Sequence, residues 1–226
     1  GDWSSDVCSS DLTFINLFNM LILGLSGGID SGKNLICDIF KGCNARIFDA
    51  DKISHQLIDK DKAVIDAISY NFPECLIDNK IDRKVLADIL FNRMADFDKK
   101  IKTLEEIIHP RIRRLYQKFI TEDCNNKINF LILNIPLLIE NNNYQYDKLI
   151  TIDCNKNLRK KRYLNRIGCD LNKKDLQKFT DRFDLICARQ VDDAKRKEKA
   201  DYIIDNNNSI FSTIKQVKII IKELAT

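Results

Sequence analysis

Leu21-Ile22-Leu23-Gly24-Leu25-Ser26-Gly27-Gly28-Ile29-Asp30-Ser31-Gly32-Lys33-Asn34 passes from an apolar run into a glycine-rich loop and ends beyond a lysine. Gly27, four further residues and then Gly32-Lys33 is the spacing that wraps backbone N–H groups around a polyphosphate while the lysine reaches its outer phosphates. Leu21 to Leu25 suits a short buried strand, and Leu35, Ile36, Ile39 and Phe40 recur at helical spacing from Asn34 to Phe40. Strand, loop and helix in that order predict a phosphate-binding loop, because a helix starting there aims its positive end at the anion. The other reading is a chance glycine turn, and Asn34 stands where the motif carries serine or threonine.

A chain of 226 residues can hold one core, or a core with an inserted subdomain. No span approaches the ~20 apolar residues of a membrane helix, so no membrane partner is expected. The net charge of +4 comes from 37 basic and 33 acidic residues, a balance that does not point to nucleic acid. The distribution says more: Lys156 to Lys199 carries 15 Lys and Arg against 7 Asp and Glu, a local excess of +8. The eight cysteines (8, 37, 43, 75, 124, 154, 169 and 187) form no C-x-x-C pair and have no histidine near enough in sequence for a zinc site. They read as reduced thiols in a cytoplasmic protein, with a disulfide framework as the alternative. Residues 1 to 19 have neither the cationic start nor the apolar centre of a signal peptide. Gly1 to Leu12 resembles translated sequencing adapter, so residues 1 to 19 are expected to be a non-native or adapter-derived extension and Met20 the start.

Past the loop, Ala45 to Asp49 reads as a second strand closing on Asp49-Ala50-Asp51. Acidic residues at the carboxyl end of a parallel strand lie where open α/β sheets bind ligands; Asp51 as the cap of a helix from Lys52 is the structural reading. From Asp61 to Asp123 apolar residues keep helical spacing with no strand signal, too long a stretch for a simple crossover, so an inserted helical subdomain is expected. His109-Pro110 marks a helix boundary within it. Asn129 to Ile135 is a continuous apolar run of the kind buried on both faces of a parallel sheet. An Asn-rich turn at 141 to 143 leads to another strand, Lys148 to Ile152, and a basic helix with Arg159, Lys160, Lys161, Arg162 and Arg166 follows. A solvated charged face is the plainer reading of that helix. Tyr202 to Ile204 forms a last strand, and an amphipathic helix from Ile210 to Leu224 closes the domain.

Five features in this order go beyond a generic loop: Gly27 to Lys33, Asp49-Ala50-Asp51, His109-Pro110, Pro136-Leu137-Leu138-Ile139-Glu140, and Gln190 to Arg196 followed by Ala200 to Asn206. Together they resemble the dephospho-coenzyme A kinases, from Met20 to about Leu224. The resemblance implies an α/β P-loop kinase core with a five-stranded parallel sheet (20–53, 127–156 and 198–226), a helical acceptor-binding insertion (54–126) and a basic helical lid (157–197). It implies transfer of the γ-phosphoryl of ATP to the 3′-hydroxyl of dephospho-coenzyme A, with Mg²⁺, by a monomer or weak homo-oligomer. Gly27, Gly28, Ile29, Asp30, Ser31, Gly32, Lys33, Asn34 and Leu35 would hold ATP. Asp51 would deprotonate the acceptor, and Asp49 would support metal or substrate. Arg162, Arg166 and Arg196 would close over the triphosphate. His109, Pro136 and Leu137 would line the acceptor site.

Three positions depart from the family pattern. Asn34 replaces the hydroxyl that ligates Mg²⁺; Asp30 stands where glycine is usual and its charge would repel phosphate unless it points away; Asn134 precedes Ile135-Pro136 where an acidic residue is frequent. Weaker Mg·ATP binding is expected from the first two. Another P-loop kinase of small molecules or nucleoside monophosphates, and a nucleotide-binding protein that has lost catalysis, are the competing readings.

Overall fold

The structure, a computed structural model, describes residues 21–91, 96–121, 130–140, 143–168 and 172–224. The expected extension 1–19, Met20, Asn129, positions 141 and 142 of the expected turn, and Cys8, Cys124 and Cys169 lie outside them. The chain divides into two compact units, one ending at Phe48 and resuming at Asp123, the other spanning Asp49–Glu122.

The first unit is built on a sheet of β1 (Leu21–Gly27), β2 (Arg46–Asp49), β5 (Phe130–Asn134), β6 (Lys148–Asp153) and β7 (Tyr202–Asp205), in the order β2-β5-β1-β6-β7. β1 pairs in parallel with β5, Leu25 opposite Asn134, and with β6, Gly27 opposite Ile152; β6 pairs in parallel with β7, Asp153 opposite Asp205. All five residues of β5 are buried, which is why its sequence is unbroken rather than alternating. Helices α1 (Lys33–Gly42) and α9 (Ile210–Leu224) pack Ile36, Phe40, Val217 and Ile220 with Leu23, Ile132, Ile150 and Ile204 of the strands in one core. Phe40 meets Phe130 edge to face, ring centroids 5.9 Å apart. The basic segment forms α6 (Lys156–Ile167), α7 (Lys173–Ala188) and the short α8 (Asp193–Glu198). Five cysteines, 37, 43, 75, 154 and 187, are free thiols, and no helix among the described residues is long and apolar enough to cross a membrane.

The second unit contains α2 (Ala50–Lys60), α3 (Lys62–Asn71), α4 (Arg83–Phe91) and α5 (Phe97–Thr121). It departs from the sequence reading in two places. A two-stranded antiparallel ribbon, β3 (Leu76–Ile77) and β4 (Lys80–Ile81), interrupts the helices. Its turn is Asp78-Asn79, both left-handed at φ 49° and 58°, the geometry that favours a two-residue hairpin and that Asp and Asn tolerate. Strands of two residues are too short to produce an alternating pattern. Second, His109-Pro110 does not end a helix, because α5 runs through Pro110 for 25 residues. Proline removes one ladder hydrogen bond there. Ile108, Ile112 and Tyr116 are nonetheless buried on one face around it, and Arg111 Nη1 donates to the Ile107 carbonyl at 3.0 Å in the perturbed turn.

Candidate active site

β1 ends in the glycine loop, and α1 begins at Lys33 with Gly32 as its N-cap residue. Gly32 is left-handed (φ 106°), and a Cβ there would overlap the side-chain amide of Asn206. No side chain caps α1 and no acidic residue lies in its first turn, so its leading N–H groups suit an anion. Lys33 Nζ lies along the loop, donating to the Gly27 carbonyl at 2.8 Å and the Gly28 carbonyl at 3.4 Å. The Ile29 N–H donates to Gln190 Oε1 at 3.1 Å. An amide oxygen on a loop N–H is a fair stand-in for a phosphate oxygen.

Side chains from the basic segment and from the end of β7 brace this loop. The Ser31 carbonyl accepts from Asn206 Nδ2 at 2.6 Å and from Arg162 Nη1 at 3.4 Å, and Arg162 Nη2 donates to the Asn206 carbonyl at 3.1 Å. Arg162 Nη1 also lies 3.3 Å from Cys154 Sγ. Burial pushes the Cys154 thiol up despite the Arg162 and Arg159 charges, so it stays protonated at neutral pH. Asp30 adopts φ 54° and its Oδ2 accepts from Arg166 Nη2 at 3.0 Å. The carboxylate feared as a repeller of phosphate is thus paired with an arginine expected to hold phosphate. Arg196 is placed differently from an open phosphate clamp: it is 3% exposed, and its guanidinium donates to Asp193 Oδ1 at 2.8 Å and to the Val191 carbonyl at 2.7 Å.

The remaining expected residues are distributed as follows. Asn34 is exposed and Leu35 half-buried in the first turn of α1. Pro136 and Leu137 lie in the turn after Ile135, just beyond the end of β5, the strand next to β1; Leu137 has φ 55°, a strained conformation for a leucine. The neighbouring Glu140 accepts the Val191 N–H at 2.6 Å, tying this turn to the end of the basic segment. In the second unit, Asp49 rather than Asp51 is the helix cap: its Oδ1 accepts the Lys52 N–H at 3.0 Å and α2 begins at Ala50. Asp51 lies exposed in the first turn, with Ser54 Oγ donating to its carbonyl at 2.8 Å. His109 is half-buried on α5.

Sequence reasoning missed two residues that hold the loop, Asn206 and Gln190. Asn206 and Gln190 lie within the quoted motifs, but nothing local says that their side chains reach back to residues near position 30.

A glycine loop of this spacing, carried from the central strand of such a sheet into a helix, defines a P-loop kinase. The family model "Dephospho-CoA kinase" matches residues 21–212. The dephospho-CoA kinase of Bartonella quintana (strain Toulouse) is 34% identical over 206 residues, covering 91% of this chain and 98% of that protein. Among solved structures, dephospho-CoA kinase from Campylobacter jejuni aligns at 25% identity with TM-score 0.56, covering 91% of this chain and 98% of its own. TT1252 from Thermus thermophilus shares the fold at TM-score 0.69 and 20% identity, covering 90% and 97%. The chain belongs to the dephospho-CoA kinase family: it is an ATP-dependent transferase with an alcohol group as acceptor, phosphorylating dephospho-coenzyme A in coenzyme A biosynthesis.

Proposed function

We propose that the acceptor oxygen is the ribose 3′-hydroxyl of dephospho-coenzyme A and that Asp51 is the base. The hydroxyl oxygen forms a bond to the γ-phosphorus of ATP as the bond to the β–γ bridging oxygen breaks. The hydroxyl proton goes to the Asp51 carboxylate, and ADP departs with the former bridging oxygen. An exposed carboxylate in the first turn of a helix can accept a proton from a bound hydroxyl. Phosphoryl transfer otherwise needs position and charge neutralisation. Lys33, the loop amides, Arg162 and Arg166 supply both, Arg166 on release from Asp30. Pro136, Leu137 and His109 are read as acceptor contacts.

The observation that carries this reading is the loop in unit one: an uncapped helix start, Lys33 lying along it, and a loop N–H already holding a side-chain oxygen. Mg²⁺ fits as an ion carried in on the phosphates. No group of three or more His, Cys, Asp or Glu among the described residues could hold it unaided, whereas the exposed Asn34 amide oxygen is a hard donor at the helix start. Asp49, its carboxylate committed to the α2 cap, is read as an indirect support. Bound there, the ion would neutralise the β and γ oxygens. The free thiols support a cytoplasmic setting.

Acceptor-dependent ADP release tests the reading. Dephospho-coenzyme A should support turnover and nucleoside monophosphates should not. ATP binding with no transfer to any acceptor would establish the decayed protein instead.

A further inference from the structure

Arg159 carries a buried charge that the reaction above does not use. It is 4% exposed, its Nε donates to the Cys154 carbonyl at 3.0 Å, and its Nη2 donates to Asp193 Oδ2 at 2.7 Å. Its Nη1 lies against Gly28. A Cβ on Gly28 would overlap Nη1 and stand 2.6 Å from Cζ. A side chain at the loop's second glycine would therefore have to displace that guanidinium from its bonds to Cys154 and Asp193.

Asp193 also pairs with Arg196 at 2.8 Å, so two buried guanidinium groups share one carboxylate. The trio keeps one net positive charge. Burying a charge is costly unless something nearby uses it. The loop that rests on this charge is the part of the molecule shaped for a polyanion.

We propose that Arg159 is a positioning residue for ATP. Anchored by Cys154 and Asp193, its guanidinium is the surface on which the Gly28 turn sits. It sets where the loop amides stand, and its positive charge lies behind the phosphates. Gln190 holds the next residue, Ile29, from the same segment of chain that supplies Asp193. Of these two contacts, that of Arg159 with Gly28 leaves the loop N–H groups free for phosphate, whereas Gln190 gives up the Ile29 N–H when phosphate takes it. A purely structural ion pair would alter stability without distinguishing between the two substrates.

The inference rests on the loop's binding ATP, so the full chain is assayed first with ATP and dephospho-coenzyme A. Absence of wild-type turnover with ATP binding retained would sink that reading and not this one, which the dissociation constant for ATP of the same variants then decides: a rise of about tenfold for Arg159→Ala supports it and a change within about twofold overturns it. KM for each substrate and the unfolding midpoint are then measured for Arg159→Ala, Arg159→Lys, Gly28→Ala and the double variant G28A/R159A. Truncation of Arg159 leaves Asp193 paired with Arg196. Arg159→Ala should raise KM for ATP about tenfold and leave that for dephospho-coenzyme A within about twofold, with Arg159→Lys restoring part of the loss. Gly28→Ala should raise KM for ATP in the wild-type background and add little in the Arg159→Ala background, because the space is then open. The proposal is overturned if KM for ATP stays within about twofold, if both KM values rise together, or if Gly28→Ala costs the same in both backgrounds. Should Arg159→Ala not fold, Arg159→Lys decides: an ATP-selective rise in KM supports the role and no rise refutes it.

Discussion

The side-chain amide of Asn206 donates to the carbonyl of Ser31 at 2.6 Å, joining residues 175 positions apart. Its Oδ1 accepts from Thr213 Oγ1 at 2.8 Å and its backbone N–H donates to the Asp153 carbonyl at 2.8 Å. The end of β7 therefore fixes the glycine loop through a buried asparagine bonded on both sides. A loop that must present several N–H groups at once gains from such bracing, since a small displacement weakens every contact to the phosphates.

Asn206→Ala should lower stability by about 1–3 kcal/mol, the cost of leaving buried partners without their bonds. It should also raise KM for ATP more than KM for dephospho-coenzyme A. Thermal unfolding with and without ATP, together with initial rates, measures both, and an unchanged response to ATP would refute the bracing role.

Asp51→Asn keeps size and polarity but cannot take a proton. It should lower kcat by about 10²–10⁴-fold with KM for ATP little altered. ADP-release kinetics decide the matter, and a kcat within about threefold of the wild type would exclude Asp51 as the base.

Asn34→Ser restores a hydroxyl to the first turn of α1, and Asp30→Gly removes the carboxylate that holds Arg166. The double variant should bind Mg·ATP more tightly, and its KM for ATP should fall. The Asp30–Arg166 pair is open to solvent on its arginine side, 64% exposed. It is therefore worth at most about 1 kcal/mol and is screened by salt. In the wild type, raising ionic strength should therefore ease Arg166 away from Asp30. A KM indifferent to the double change removes this account.

Asp201 accepts the Leu149 N–H at 2.8 Å and lies 3.0 Å from Lys148 Nζ. The backbone bond first, and then Lys148, hold its carboxyl below the usual carboxylate range. Asp205 is lowered likewise, first by the Asn207 N–H. A depressed folded-state pKa makes the unfolded chain bind the proton first as pH falls. The stabilisation is complete above the ordinary carboxylate range and is lost as pH drops through the folded-state value. The unfolding midpoint of Asp201→Asn should lie below that of the wild type near neutrality and approach it as the pH falls below the ordinary carboxylate range. A gap that is constant over that span would show that the carboxylate charge is irrelevant.

Much of the first unit was legible because its signals are local. The apolar runs of β1, β5 and β6, the glycine spacing of the loop and the period of α9 each lie within about fifteen residues. The helical character of the stretch after β2 was legible, though not its ribbon, whose two-residue strands carry no period, nor the passage of α5 through Pro110. There the packing of Ile108, Ile112 and Tyr116 outweighs the local preference of proline. The helix cap at Asp49 was misassigned to Asp51 by two residues because both are acidic, and only backbone geometry says which one receives the Lys52 N–H.

By itself the sequence determined the chemistry on offer: a loop that binds phosphate, a lysine at its end, a pair of aspartates after the second strand, and a surplus of arginine and lysine between Lys156 and Lys199. Tertiary structure alone decided which of those groups meet. The order β2-β5-β1-β6-β7 brings β5 between two strands that precede it, and closure of β7 on β6 brings Asn206 under Ser31. Asp30 takes up Arg166, and Arg159 fills the space that Gly28 leaves. Residue type and spacing encode what a side chain can do over a few turns of chain, whereas its partner across more than a hundred residues is set by how strands pair and helices pack.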